Sequence, residues 1–180
     1  SKEWNEIKEF FLDDEQREYI NLIMASSEHL LSLINDILEM SKIESGKVQL
    51  IPVDFDIMEL LETLDSIYRA TATNNGLQFI SEIDKNLPRY LYGDRNKISQ
   101  ILVNLLSNAI KYTQVGSVIL RVRADKDGED YRMHFEVEDT GAGIAEDELP
   151  QIFEPFAQSE SGRKTQKGTG LGLPITHEFV

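Results

Sequence analysis

The chain carries the stretch Asn104-Leu-Leu-Ser-Asn108-Ala-Ile-Lys111 inside a helix predicted at residues 96–112, with Asp94 as its cap. Asn104, Asn108 and Lys111 are spaced four and three residues apart, so they share one face. Two carboxamides and an ammonium on one face can hold a hydrated metal ion and a phosphate chain. The alternative is the solvated polar face of an ordinary amphipathic helix. Asparagine is a poor helix-interior residue, however, so two of them one turn apart need a reason.

A second motif, Asp139-Thr-Gly-Ala-Gly-Ile144, ends a strand predicted at residues 131–139. Strand alternation places Asp139 on the apolar face, where a carboxylate is unfavourable unless it meets a donor. An adenine amino group is such a donor, and an acceptor-only side chain reads it well. Gly141 and Gly143 would let the backbone pass close to a flat base. The alternative is a turn that the Asp139 side chain caps.

A third motif, Lys167-Gly-Thr-Gly-Leu-Gly-Leu173, joins a polar loop to a predicted helix. Glycines at alternate positions permit a nest of N–H groups, and the N-terminus of the helix behind them attracts anions. The run has neither the Walker spacing nor the dinucleotide-binding spacing. Taken alone, it could also be a flexible linker.

The rest of the chain divides into a long helix and a mixed region. The helix is predicted at residues 14–45, with Asp13 or Asp14 as cap and an apolar stripe of three- and four-residue spacing from Ile20 to Ile43. The stub of a preceding helix is expected in residues 1–12. The mixed region predicts an α+β two-layer sandwich, one mixed β-sheet covered on one face by helices. Strands are expected at residues 48–55, 77–83, 90–92, 117–124 and 131–139, helices at 57–73, 96–112 and from Leu171 or Pro174 onward, and a long mobile loop at 140–170.

Composition excludes several classes of function. The 180 residues carry a formal net charge of -14, which repels nucleic acid. Without cysteine, disulfides and thiol chemistry are excluded, and the three histidines show no metal-ligand spacing. No apolar run approaches the ~20 residues of a membrane span. We therefore expect a soluble cytoplasmic chain without nucleic-acid or direct membrane contact.

In combination the motifs resemble the boxes of sensor histidine kinases. Residues 104–113 resemble the N box and residues 139–143 the G1 box. Phe153-Glu-Pro-Phe156 resembles the F box, and Gly168-Thr-Gly-Leu-Gly172 the G2 box. Residues 28–38 and 41–47 are similar to the second helix of the family's dimerisation domain and its exit. The resemblance implies a Bergerat-type ATP-binding fold at residues 47–180, preceded by the end of the dimerisation hairpin at residues 1–46. It also implies that the chain is truncated at both ends and lacks the last strands of the domain.

The resemblance further implies roles for individual residues. Asn108 would coordinate Mg²⁺, Asp139 would read the adenine amino group, and residues 144–167 would form a lid over the phosphates. Phe153 and Phe156 would anchor this lid to the core. Candidate cations for phosphate contacts in the lid are Arg163, Lys164 and Lys167. The ATP-binding residues implied are Asn104, Asn108, Lys111, Tyr112, Asp139, Gly141, Gly143, Ile144, Lys167, Gly168, Thr169, Gly170, Leu171 and Gly172.

The chemistry implied is phosphoryl transfer onto a protein histidine. Hydrolysing relatives carry a glutamate where this chain has Asn104, and an amide cannot take a proton at neutral pH. The family's acceptor histidine precedes an acidic residue and usually Arg-Thr-Pro, and no histidine in this chain has that context. His29, beside Leu30, is therefore not expected to be the acceptor. The expected partners are ATP, a response regulator receiver domain, and a second copy of the chain bound through the N-terminal helix.

The sequence leaves two alternative functions open. One is a Bergerat-fold ATPase or a protein-serine kinase of the anti-sigma type, against which the long helix and the F box argue. The other is a pseudokinase that binds a partner through its helix stripe and uses no nucleotide.

Overall fold

The computed structural model describes residues 13–128, 130–157 and 169–180, with the side chain of His29 left out. The expectations for residues 1–12, for the lid cations Arg163, Lys164 and Lys167, and for Gly168 therefore lie outside the described residues. The elements follow the order α1 (Asp14–Glu44), β1 (Val53–Asp56), α2 (Ile57–Asn74), β2 (Gln78–Ile83), β3 (Tyr90–Gly93), α3 (Arg95–Tyr112), β4 (Ser117–Asp127), β5 (Asp130–Asp139) and α4 (Gly172–Phe179).

The predicted long helix is confirmed as α1, and it begins with a reciprocal cap. The Asp13 carboxylate accepts from the Gln16 backbone N–H at 2.8 Å, and the Gln16 side chain accepts from the Asp13 N–H at 3.2 Å. No helix in the part of the chain that the structure describes is long and apolar enough to cross a membrane. One face of α1 leaves a stripe of apolar side chains 46–64% exposed, namely Leu22, Ile23, Leu30, Leu31, Ile34, Ile37 and Leu38.

The predicted mixed sheet is confirmed, in the order β2-β4-β5, with β2 parallel to β4 and β4 antiparallel to β5. The predicted β1 and β3 do not join it and instead form a separate antiparallel pair. β1 is also shorter than the predicted 48–55. Leu50 and Ile51 are each 67% exposed, and the Ile51 N–H donates to the Asp94 side chain instead of a strand partner. In the β4–β5 hairpin, pairing continues to Asp127 and Asp130, so both strands are longer at this end than the predicted 117–124 and 131–139.

The core lies between the three-stranded sheet and helices α2 and α3. On β4 the inward side chains Val118, Leu120 and Val122 are almost fully buried. Their partners on β5 are Asp139, Val137 and Phe135, so Asp139 ends the apolar face, as the alternation predicted. The main helical contributions to this core come from Leu60, Leu61, Leu64, Leu102, Leu106 and Ala109.

Asp94 fixes the start of α3 and also holds the segment before β1. One carboxylate oxygen accepts from the N–H groups of Asn96 and Lys97, each at 3.1 Å. The other oxygen accepts from the Ile51 N–H at 2.9 Å. This side chain therefore satisfies both a helix terminus and a distant stretch of backbone.

Asp94→Ala is expected to lower the free energy of unfolding at neutral pH by about 1 kcal/mol through the lost cap. Burial raises the pKa of the Asp94 carboxyl, but the three N–H donors outweigh it and hold the pKa below its usual 3.8. A depressed pKa stabilises the fold above the unfolded-state pKa, and that stabilisation is lost as pH falls through the folded pKa. In urea unfolding, the difference from wild type should therefore shrink as the pH drops below 3.8. A difference that does not change with pH would contradict this assignment.

Candidate functional site

The end of β5 meets the end of α3 at the Asp139 carboxylate. Its Oδ1 accepts from the Gly141 N–H at 2.8 Å, which closes a tight turn. The Thr113 hydroxyl donates to the Ala109 carbonyl oxygen at 2.7 Å and lies 3.5 Å from the same Asp139 Oδ1. Among the described residues Oδ2 has no hydrogen-bond partner. The turn alternative and the base-reading alternative are therefore compatible, because one oxygen closes the turn and the other is left as an acceptor.

Gly141 is required by the closeness of two backbone segments. A Cβ at this position would lie 2.6 Å from the Tyr112 carbonyl oxygen and 2.7 Å from Asp139 Oδ1. Beside this contact, the Lys111 ammonium lies 4.5 Å from the centre of the Tyr112 ring. The residues after Asp139 therefore pass directly against the C-terminal end of α3. A side chain at residue 141 would separate the two motifs.

On the polar face of α3, Asn104 packs against α4, whereas Asn108 is left without a hydrogen-bond partner among the described residues. Asn104 Nδ2 donates to the Gly172 carbonyl oxygen at 3.2 Å and to the Thr176 hydroxyl at 3.4 Å, which ties α3 to α4. Asn108, one turn later, is half-buried, and among the described residues its carboxamide has no hydrogen-bond partner. An unused carboxamide oxygen is a suitable ligand for a hard cation such as Mg²⁺.

The described part of the third motif, Thr169 to Gly172, is held by its own backbone and by a neighbouring turn. The Leu171 N–H donates to the Thr169 hydroxyl at 3.0 Å, and the Gly170 carbonyl accepts from the Phe156 N–H at 3.0 Å. Gly170 has φ 72, and a Cβ there would lie 2.8 Å from the Ala157 carbonyl oxygen. Leu171 is fully buried, and α4 begins at Gly172, close to the predicted start.

The two phenylalanines of the F box differ from each other. The Phe153 ring lies against the exposed His177 of α4 with centroids 4.9 Å apart, but it is 45% exposed and does not enter the core. The Phe156 ring is 65% exposed, so the expectation that both rings anchor the lid to the core is corrected. Phe156 has φ 64, and its backbone N–H, not its ring, makes the contact to Gly170. Ile144 is 41% exposed and follows Gly143, which has φ 72.

Two side chains at the site were not predicted. Thr113 was part of the quoted motif, but its buried hydroxyl beside Asp139 was not assigned a role. Asp36 of α1 accepts from the Thr169 hydroxyl at 3.1 Å, and its only sequence signal is a charge inside an apolar stripe. A cleft of about 460 Å³ between α2 and α3 adjoins this site, because Lys111 and Thr113 line it together with Tyr68 and Thr71.

Two known protein families match this chain. Residues 93–180 match the family of histidine kinase-, DNA gyrase B- and HSP90-like ATPases. Residues 2–46 match the His Kinase A (phospho-acceptor) domain family. The fold and the three motifs thus belong to an ATPase domain preceded by a segment of a phospho-acceptor domain.

Proteins similar to this chain over most of its length are sensor and hybrid histidine kinases. The chain is 43% identical over 167 residues to hybrid signal transduction histidine kinase B of Dictyostelium discoideum, covering 92% of this chain and 8% of that protein. It is 39% identical over 170 residues to the autoinducer 2 sensor kinase/phosphatase LuxQ of Vibrio cholerae, covering 94% of this chain and 20% of that protein. The structure of full-length ShkA in complex with AMPPNP matches with a TM-score of 0.76 and 33% identity, over 96% of this chain and 35% of that one. The chain belongs to the sensor histidine kinase family, and it spans only a small part of the curated relatives' length.

Proposed function

We propose that this chain is the ATP-binding catalytic part of a protein-histidine kinase. It would help transfer the γ-phosphate of ATP to a histidine for relay to an aspartate of a response regulator. The observation that carries the proposal is the Asp139 carboxylate, whose Oδ1 is held by the Gly141 N–H in a turn that lies against the end of α3. An acceptor in a rigid turn, with a glycine-lined approach, suits the amino edge of adenine.

Residues of this chain would contact each part of Mg²⁺-bound ATP, from the base to the phosphates. Asp139 would accept from the adenine amino group, and Gly141, Gly143 and Ile144 would line the base. Lys111 and Tyr112 would lie along the nucleotide, and Asn108 would supply a carboxamide oxygen to Mg²⁺. The phosphates would contact Lys167 and the backbone of residues 168–172 at the start of α4. Bound Mg²⁺ would neutralise charge on the phosphates during transfer.

Transfer is favoured over hydrolysis because of Asn104. Its Nδ2 donates to Gly172 and Thr176, and an amide cannot serve as a general base at neutral pH. Asn104 therefore supports the site by holding α3 to α4. Without a base to activate water, the chain would hold the nucleotide until an acceptor histidine arrives.

The proposal extends to partners and boundaries. Residues 1–46 would belong to the dimerisation hairpin and residues 47–180 to the catalytic domain. The exposed apolar stripe of α1 would pair with a second copy of the chain. A response regulator receiver domain would take the phosphate from the histidine. We place this part of the parent protein in the cytoplasm, where ATP is available.

Asn108→Ala is expected to weaken the Mg²⁺-dependent part of nucleotide binding by about tenfold, since changes even to outer-shell metal partners cost ~10-fold or more. The measurement is calorimetric titration with a non-hydrolysable ATP analogue, with and without Mg²⁺. The matched control is Ser107→Ala, because the neighbouring Ser107 is exposed and its hydroxyl donates to the helix backbone. An Mg²⁺ dependence that survives in Asn108→Ala would refute the metal role.

The second candidate function is a protein-serine kinase of the anti-sigma type. The phosphorylated product distinguishes it from a histidine kinase. Phosphohistidine is lost in acid and survives alkali, whereas phosphoserine survives acid. Acid-stable phosphate on the acceptor protein would favour the serine kinase. A nucleotide-free pseudokinase would show no analogue binding at all.

A further inference from the structure

The helix α1 has a second face, distinct from its exposed stripe, that lies against the ATPase domain. Leu33, Asp36, Glu39, Met40 and Ile43 on this face are all half-buried and recur at helical spacing. We call these five residues the docked face. Its two polar members contact residues near the two ends of α4. Asp36 contacts Thr169, just before α4, and Glu39 contacts Lys97 of α3.

Asp36 touches the glycine-rich segment itself. Its Oδ2 accepts from the Thr169 hydroxyl at 3.1 Å, while the same hydroxyl oxygen accepts from the Leu171 N–H at 3.0 Å. A hydroxyl has one proton, so donation to Asp36 turns its lone pairs toward Leu171. Burial raises the pKa of the Asp36 carboxyl, and the Thr169 hydrogen bond opposes that rise. The result is a continuous hydrogen-bond chain from α1 to the backbone of the segment.

A second contact fixes the same face of α1 at the other end of α4. Glu39 forms an ion pair with Lys97 of α3, and the Lys97 ammonium lies 4.2 Å from the centre of the Phe179 ring. On the opposite side, Asn104 holds the Gly172 carbonyl. The start of α4 is thus held between α3 and α1, although these elements are far apart in sequence.

We propose that Asp36 is a positioning residue that orders the glycine-rich segment Thr169–Gly172 for the phosphates of the nucleotide. The inference rests on the proposed function and names a residue outside the ATPase domain that completes its site. Gly170 and Gly172 lose much backbone freedom when they become ordered. A segment already ordered through Thr169 avoids that loss when the nucleotide binds. Nucleotide affinity therefore depends on whether α1 is docked.

The test is calorimetric binding of the Mg²⁺-bound ATP analogue to the whole chain and to Asp36→Ala, which removes the oxygen that accepts from the Thr169 hydroxyl. We expect affinity to fall by about fivefold, equivalent to one net hydrogen bond. Removing a negative charge near a polyphosphate would by itself tighten binding, so a weakening isolates the positioning effect. Glu28→Gln, which removes an exposed charge from the same helix, should leave the affinity unchanged.

A double-mutant cycle then shows whether Asp36 acts through Thr169. In a Thr169→Val background the positioning effect is already lost, so Asp36→Ala should cause no further weakening and should change affinity only through its lost charge, which favours binding. The amide NMR shifts of Leu171 and Gly172 in the nucleotide-free chain should move in Asp36→Ala and not in Glu28→Gln. Unchanged or tighter binding by Asp36→Ala, or an equal loss in the Thr169→Val background, would overturn the inference while wild-type binding upholds the proposed function. No binding by wild type would overturn both.

Discussion

Asp139→Asn is expected to weaken binding of the Mg²⁺-bound ATP analogue by about 100-fold, because a buried donor would lose its acceptor and face another donor. The asparagine retains an oxygen that can accept from the Gly141 N–H, so the turn should survive. Its amide nitrogen, however, would occupy the position of Oδ2 and meet the adenine amino group. Calorimetric titration of wild type and variant measures the loss directly.

The matched control is Glu138→Gln, the same chemical change one residue earlier. Glu138 faces the opposite side of the sheet, where it pairs with Arg121. Its substitution should leave nucleotide affinity within about twofold, since surface changes are usually within ~0.5 kcal/mol. Equal losses in the two variants would point to a general charge effect and would remove Asp139 from the base-reading role.

Gly141→Ala is expected to lower the free energy of unfolding by about 3 kcal/mol and to abolish analogue binding. The added Cβ would lie 2.6 Å from the Tyr112 carbonyl oxygen and 2.7 Å from Asp139 Oδ1. The nearest atom belongs to the backbone, so it cannot move aside as a flexible side chain would. Denaturant unfolding measures the first effect, and calorimetry under conditions where the variant is folded measures the second.

Gly93→Ala is the control for this substitution. A Cβ on Gly93 would make only an ordinary 3.8 Å contact with Phe55 Cε1, so the effect on stability should be below about 1 kcal/mol. If Gly141→Ala kept wild-type stability and affinity, the close approach of β5 and α3 would not exist in solution.

Much of the ATPase domain could be predicted from local patterns. α3 was predictable because Asp94 caps it and its apolar residues repeat at helical spacing. The inward face of β5 followed from simple alternation, which placed Asp139 at the end of the apolar face; in the structure it pairs there with Val118. Both patterns are local, and a local pattern predicts the structure correctly when the burial of its apolar residues agrees with it.

Features that depend on tertiary contacts could not be predicted. The sequence does not show that Asn104 would bind α4, because its partner Thr176 is distant in the chain. The exposed ring of Phe156 depends on a left-handed backbone that its sequence does not favour. The contact of Asp36 with Thr169 joins residues 133 positions apart. No spacing rule predicts such a pair.

The proposed binding of ATP brings an anionic ligand to an acidic chain. With a net charge of -14, long-range attraction cannot bring ATP to the site. Short-range features must do so instead, and the structure provides the Asp139 acceptor, the Asn108 carboxamide and the N-terminus of α4. Binding should therefore depend strongly on Mg²⁺, which reduces the charge of the nucleotide before it enters.

Binding of adenine at Asp139 is tested most directly by a crystal structure of the chain with Mg²⁺ and a non-hydrolysable ATP analogue. We expect the adenine amino nitrogen within about 3 Å of Asp139 Oδ2, with Mg²⁺ bound to Asn108 and the phosphates at Thr169–Gly172. A base seated instead in the cleft between α2 and α3, near Tyr68 and Thr71, would contradict it. Crystals grown at saturating analogue that show no nucleotide at Asp139 would contradict it equally.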